Sequence, residues 1–171
     1  MPDSPPLLCV FAGLPGVGKT TLARQLAGRI SACYLRIDTI EQALRDLAGL
    51  SVQGEGYALA QRVAADNLAA GVDVVADCCN PWPLTRRHWR KVSLDTAARH
   101  LDIEIVCSDP DEHRRRVEAR IGDIPGLILP DWQAVQARDY QAWDGGRIVI
   151  DTAHRTVAEC LDELLGRLRD A

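Results

Sequence analysis

Short apolar runs alternate along the chain with longer amphipathic stretches, the pattern of repeated β–α units around a mainly parallel sheet. Five runs stand out as strands: Leu7–Ala12, Ala32–Ile37, Val72–Ala76, Ile103–Cys107 and Arg147–Ile150. Their near-continuous hydrophobicity suits strands covered on both faces. The expected class is therefore α/β.

The stretches between them carry helix punctuation. Lys19–Arg29 follows the first strand, and Thr39–Leu47 follows the second, with Asp38 and Glu41 at capping-box spacing. A third helix is expected over Gly56–Ala70 and a fourth over Leu84–Arg99, whose Arg86, Arg87, Arg90 and Lys91 read as a solvated face. Pro110 opens a fifth, with Asp109 and Glu112 as a second box. Residues Ile121–Pro130, rich in Gly and Pro, read as an exposed loop and candidate lid. A helix over Asp131–Trp143, a turn at Asp144–Gly146, the last strand and a helix boxed by Thr156 and Glu159 complete the pattern.

Composition narrows the class without changing the fold. At 171 residues, with 47% hydrophobic and 26% charged residues, the chain suits one globular domain spanning 1–171. A net charge of −4 weighs against a broad nucleic-acid-binding surface. MPDSPPLLCVFAG has no basic leader region, and no apolar run reaches membrane-spanning length, so a cytoplasmic protein that does not enter a membrane is expected. The six cysteines lack zinc or CxxC spacing and read as reduced core residues; the adjacent Cys78 and Cys79 could alternatively form a redox-sensitive pair. The scattered histidines suggest no metal site.

One motif carries the chemistry. Gly13-Leu14-Pro15-Gly16-Val17-Gly18-Lys19-Thr20 matches G-x-x-x-x-G-K-[ST] between a strand and a helix. Glycines let such a loop wrap a triphosphate closely with its N–H groups, while the following helix points its positive end at the phosphates. Lys19 is expected to reach the β- and γ-phosphates and Thr20 to offer its hydroxyl to Mg²⁺, with the binding segment continuing to Thr21. The motif does not say where the γ-phosphate goes.

Neighbouring strand ends add candidates. Asp38, after the second strand, stands at the sheet edge where open α/β folds bind ligands; it is either a base for an attacking hydroxyl or the cap of its helix. Asp77 ends the third strand as a Walker-B-like carboxylate for Mg²⁺, and Asn80 follows where an acceptor could be hydrogen-bonded. Arg116 and Arg120, four apart on the fifth helix and adjoining the lid, are candidates to neutralise a transferring phosphoryl group. The tryptophans read as core or helix-face residues.

With GLPGVGKTT, the two strand-end aspartates, the arginine-rich helix before a lid and IVIDTA before the final helix, the chain resembles the small P-loop kinases. The similar branch is that of predicted bacterial kinases related to gluconate kinase, chloramphenicol phosphotransferase, zeta-type toxin kinases and the polynucleotide kinase domain. This resemblance implies a three-layer P-loop NTPase sandwich with a five-stranded parallel sheet in the order 2-3-1-4-5. It also implies Asp38 as general base, Arg120 as lid arginine, and Asp151 and Thr152 in the adenine-binding loop, where their local reading is a strand-to-helix turn. Several relatives carry an arginine three residues after the base. Here that position is Glu41, which argues against a nucleotide or polynucleotide acceptor unless Arg45 substitutes.

The expectation is thus an ATP- and Mg²⁺-dependent kinase acting on a hydroxyl of a small-molecule acceptor, of unassigned oligomeric state. Alternatives are a nucleotide-dependent ATPase or switch with a protein partner, and a toxin-like or nucleic-acid-end kinase, for which Arg86–Lys91 and His113–Arg116 supply local basic stretches. No N/T-K-x-D segment argues for GTP.

Overall fold

In the computed structural model, which describes residues 4–170, twelve elements follow one another: β1 (Leu7–Ala12), α1 (Lys19–Ile30), β2 (Cys33–Arg36), α2 (Ile37–Ala48), α3 (Glu55–Ala69), β3 (Val74–Asp77), α4 (Pro83–Asp95), β4 (Arg99–Val106), α5 (Pro110–Ala119), α6 (Trp132–Gln136), β5 (Ile148–Asp151) and α7 (Val157–Arg169). All five strands pair in parallel in the order β2-β3-β1-β4-β5. β1 is central, and Leu8 to Ala12 lose all solvent contact. Strand alternation divides its side chains between two cores. Cys9 and Phe11 pack with Leu22 and Leu26 of α1 and Leu161 and Leu164 of α7. Leu8 and Val10 pack on the other face with Ala60, Ala64 and Leu68 of α3 and Trp89 of α4.

Several boundaries differ from the sequence expectations, each for a physical reason. β4 begins at Arg99 instead of Ile103, because α4 stops at Asp95 and Ala97 takes a left-handed φ of 53°. The sequence pattern starts the strand late because Asp102 precedes its apolar run, yet Asp102 and Glu104 are both buried against cations. Arg90 reaches Asp102 at 3.0 Å, and Arg147 and Tyr140 both bond Glu104. The helix expected over Asp131–Trp143 ends at Gln136. Beyond it the carbonyls of Gln141 and Ala142 accept hydrogen bonds from Arg86 at 2.7 and 2.9 Å, and the Trp143 ring lies 3.9 Å from the same guanidinium. Arg86 is therefore a buried post, not part of a solvated face.

Of the three expected capping boxes only Thr156–Glu159 closes in both directions. Asp109 caps α5, but Glu112 instead accepts from the His154 N–H and from Arg116. Asp38 caps nothing, since α2 begins at Ile37 with Arg36 as its N-cap.

Candidate active site

The glycine-rich loop joins the carboxyl end of β1 to the amino end of α1. Gly13 has φ 135°, and a Cβ there would sit 2.3 Å from the Ile105 carbonyl oxygen, so this turn against β4 admits only glycine. Gly18, at φ 99°, is the N-cap of α1; no side chain caps that helix and no acid occupies its first turn. Its leading N–H groups thus present the positive end of a twelve-residue helix to an anion. The Lys19 ammonium rests 3.4 Å from the Leu14 carbonyl oxygen.

The loop is braced from behind. The Thr152 hydroxyl donates to the Val17 carbonyl at 2.8 Å and accepts from Arg116 at 2.7 Å. The Gly13 N–H donates to the Cys79 carbonyl at 3.1 Å. His113, buried on α5, lies 2.8 Å from the Pro15 carbonyl oxygen through Nε2, and its ring stands edge-on to Trp132. The sequence assigned His113 no role, and only its place on the helix facing the loop could have signalled one.

A cavity of about 750 Å³ opens over the loop. Pro15, Gly16, Gly18, Lys19, Thr20 and Thr21 form one wall; Asp38 reaches it from α2, Asp77 from the end of β3, and Arg116 and Arg120 from α5 and its C-cap. Gly13, Leu14 and Val17 shape the loop without lining the cavity. Asp151 and Thr152 also stay outside it. The Asp151 carboxylate accepts the Ser108 and Ala153 N–H groups, both at 3.0 Å, which fixes the strand-to-helix turn. The Thr152 hydroxyl is fully engaged behind the loop, so an adenine contact through that side chain is not what the structure builds. Asn80 is wholly buried, its amide oxygen accepting from Thr85 at 2.8 Å, and does not face the cavity.

Asp77, opposite Phe11 in the sheet register, is buried and accepts a 2.8 Å hydrogen bond from Tyr34. Burial and the Asp77 charge push the Tyr34 phenol well above its ordinary pKa, so it remains a donor to that carboxylate. Asp77 and the Thr20 hydroxyl supply hard oxygen donors to one cavity, the ligand chemistry that suits Mg²⁺. Asp38 is exposed in the first turn of α2.

The two arginines part company. Arg116 stays on α5, bound to Glu112, to the Thr152 hydroxyl and, at 2.9 Å, to the Thr152 carbonyl. Arg120 has left the helix; its ψ of 130° turns the chain outward, so the expected shared helical face does not exist. Its Nε and Nη2 are buried with no partner among the described residues. Desolvation pulls its pKa down, and the nearby Asp38 charge opposes that.

The 121–130 segment folds over the cavity with Ile121 and Ile128 91% exposed. Its Asp123 carboxylate takes two hydrogen bonds from Arg36, at 2.8 and 2.9 Å, and one from Arg24 at 3.2 Å. Sequence reasoning missed this group, although an arginine ending an apolar run just before Asp38 was a visible anomaly. Arg45 pairs with Glu41 at 3.4 Å and is thereby neutralised. Cys78 donates to the Phe11 carbonyl, and burial raises its thiol pKa far above the ordinary range, which removes it from easy redox chemistry. No helix among the described residues is long and apolar enough to cross a membrane.

A family model described as "AAA domain" matches residues 8–126. No curated protein matches by sequence. Among solved structures, a candidate kinase from Chloroflexus aurantiacus superposes with TM-score 0.75 at 19% identity, covering 98% of both chains. The Mycobacterium tuberculosis APS kinase CysC, in complex with AMPPNP and APS, gives 0.69 at 21% identity over 98% of this chain and 99% of that one. A gluconokinase from Sinorhizobium meliloti gives 0.69 at 16% identity, covering 98% and 94%. The fold is that of the small P-loop kinases.

Proposed function

The chain belongs to the AAA domain family, and from that premise we propose that it is an ATP-dependent phosphotransferase that moves the γ-phosphoryl group to a hydroxyl of a small-molecule acceptor. One observation carries the reading: a single cavity joins the uncapped amino end of α1 to an exposed carboxylate, Asp38, and to the half-buried Arg120, whose Nε and Nη2 have no partner among the described residues. A domain that only binds nucleotide needs just the first of these; the other two are groups that transfer of the γ-phosphoryl group uses.

In this reading the Gly13–Thr21 segment holds the triphosphate, through the backbone N–H groups of Gly16 to Thr21 and the Lys19 ammonium. Asp38 accepts the proton of the attacking hydroxyl, and Arg120 meets the charge that spreads over the equatorial oxygens. Thr20 and Asp77 would hold Mg²⁺, which when bound neutralises phosphate charge. Arg116 and Thr152 act as braces of the loop, and the whole chain works as one domain with 121–130 as its lid, closing to exclude water.

The test is ADP release from purified protein with and without sugars, antibiotics, nucleosides and oligonucleotides. At least one small hydroxyl compound should stimulate release, and Lys19→Ala should abolish it while weakening ATP binding in calorimetry. Release that no acceptor raises would move the protein to the ATPase or switch class, and stimulation by oligonucleotides alone would move it to the nucleic-acid-end kinases.

A further inference from the structure

The cavity divides into a nucleotide half and an acceptor half, and the charges of the second half are unequal. Arg24, Arg36, Arg45, Arg120 and Arg138 line it, opposed by Asp38, Glu41, Asp123 and the buried Asp77, which lies 4.0 Å from Arg36 Nε. Glu41 is committed to Arg45 within α2. The fixed scaffold therefore leaves four guanidinium groups against two carboxylates, Asp38 and Asp77, and Asp123 comes from the lid.

That lid carboxylate sits as a ligand would. It meets Arg36 side-on with two hydrogen bonds and takes a third from Arg24, the forked geometry by which arginine binds a free carboxylate or a phosphate. Arg36 is mostly covered, with 13% of its side chain exposed, whereas Asp123 is 53% exposed. Its segment has apolar residues turned to solvent at Ile121 and Ile128, so little packing holds it in place. A buried cation whose two-pronged partner is a loosely held surface acid is a binding site filled by a stand-in.

Resting on the phosphotransferase reading, we infer that the acceptor is a compact anionic hydroxyl compound, a hydroxycarboxylate or a phosphate monoester, whose anion displaces Asp123 from the Arg36–Arg24 fork. Arg36 lies only two residues before Asp38, so the fork and the proposed base stand at one sheet edge. An acceptor held by its anion at Arg36 would offer a nearby hydroxyl to Asp38. Exchange of one anion for another keeps Arg36 paired throughout, so displacement does not strand a buried charge. Released from Arg36, Asp123 would turn back to solvent, a short step for a group already half exposed.

Calorimetry tests this on full-length protein saturated with magnesium and a non-hydrolysable ATP analogue, so that the phosphate loop is filled. The probes are glycerate, glycerol phosphate and glycerol, which share a hydroxyl scaffold and differ in charge. Wild-type protein should bind the two anions and not glycerol. Asp123→Ala, on an exposed loop, should tighten anion binding by about two- to fivefold, the range for removing a competing exposed ion pair. Arg36→Gln should weaken it by roughly tenfold or more. Glycerol binding as well as the anions, absence of anion binding, or an Asp123→Ala protein that binds anions no better than wild type overturns the inference. Were Arg36→Gln to fold poorly, the sign of the Asp123→Ala effect would decide alone, because a purely structural latch predicts weaker binding. Fork-dependent anion binding without transfer to any acceptor would sink the phosphotransferase reading and spare the anion site; transfer to neutral acceptors in preference to anions would do the reverse.

Discussion

Replacing Asp38 with Asn separates chemistry from architecture, because that carboxylate has no hydrogen-bond or ion-pair partner among the described residues. It occupies the second position of α2 behind Arg36 as N-cap, is exposed, and makes no capping hydrogen bond. The stability cost is then only the loss of one negative charge from a helix's first turn, about 0.3–1 kcal/mol. For a chain of this size that lowers Tm by about 1–4 °C. Asn keeps the shape, so nucleotide affinity should hold. A positioned base contributes about 10²–10⁴-fold, equivalent to about 2.7–5.4 kcal/mol of barrier, far above the stability effect. The assay is acceptor-stimulated ADP release at saturating ATP, run beside a thermal melt of each protein. A folded Asp38→Asn protein with near-wild-type turnover refutes the role of Asp38 and leaves the cavity without a base.

Further outcomes follow from other parts of the molecule. Amides in 121–130 should exchange faster than those of β1 in the free protein and slow markedly when nucleotide and acceptor are added; equal protection in both states would end the lid reading. Arg86→Ala should cost roughly 3 kcal/mol or more, a Tm drop of about 6–12 °C in a melt, since it takes the guanidinium donor from the carbonyls of Asn80, Gln141 and Ala142 and removes the nearer of the two cations over Trp143. Burial pushes the Cys9 thiol up to about 12. Its folded pKa exceeds the unfolded value, so the stability tied to its protonated form is complete below about pH 8.5 and falls as pH rises toward 12, readable as a declining denaturation midpoint. Alkylation at pH 8 should spare Cys9 and Cys78 until the protein is unfolded, and rapid native labelling of either would contradict the packed core.

The parts legible in the sequence are those whose chemistry is local. A loop that must wrap an anion needs glycine at fixed places, and Gly13 and Gly18 sit there because backbone sterics allow nothing else. Asp38 and Asp77 were legible because parallel strands end at one sheet edge. What escaped notice depends on partners far along the chain. Arg86 looks solvated until residues 141 and 142 return to surround it, and Arg36 looks like an interruption of β2 until Asp123 crosses to it. The Asp38 cap failed because side-chain spacing cannot tell an N-cap from the second helical residue. The exit of Arg120 from α5 likewise turns on one ψ angle that helical periodicity cannot register.

The brace from Thr152 to Val17 joins the residue after the last strand of the sheet to a loop 135 positions earlier in the chain. During synthesis the glycine-rich loop leaves the ribosome long before β5 exists, and even β1 waits for β3 and β4 to flank it. A fragment that ends before β5 thus carries the entire phosphate motif without the Thr152 brace. A chain cut before Thr152 should therefore form a less ordered loop than the full chain, whatever anion is offered to it.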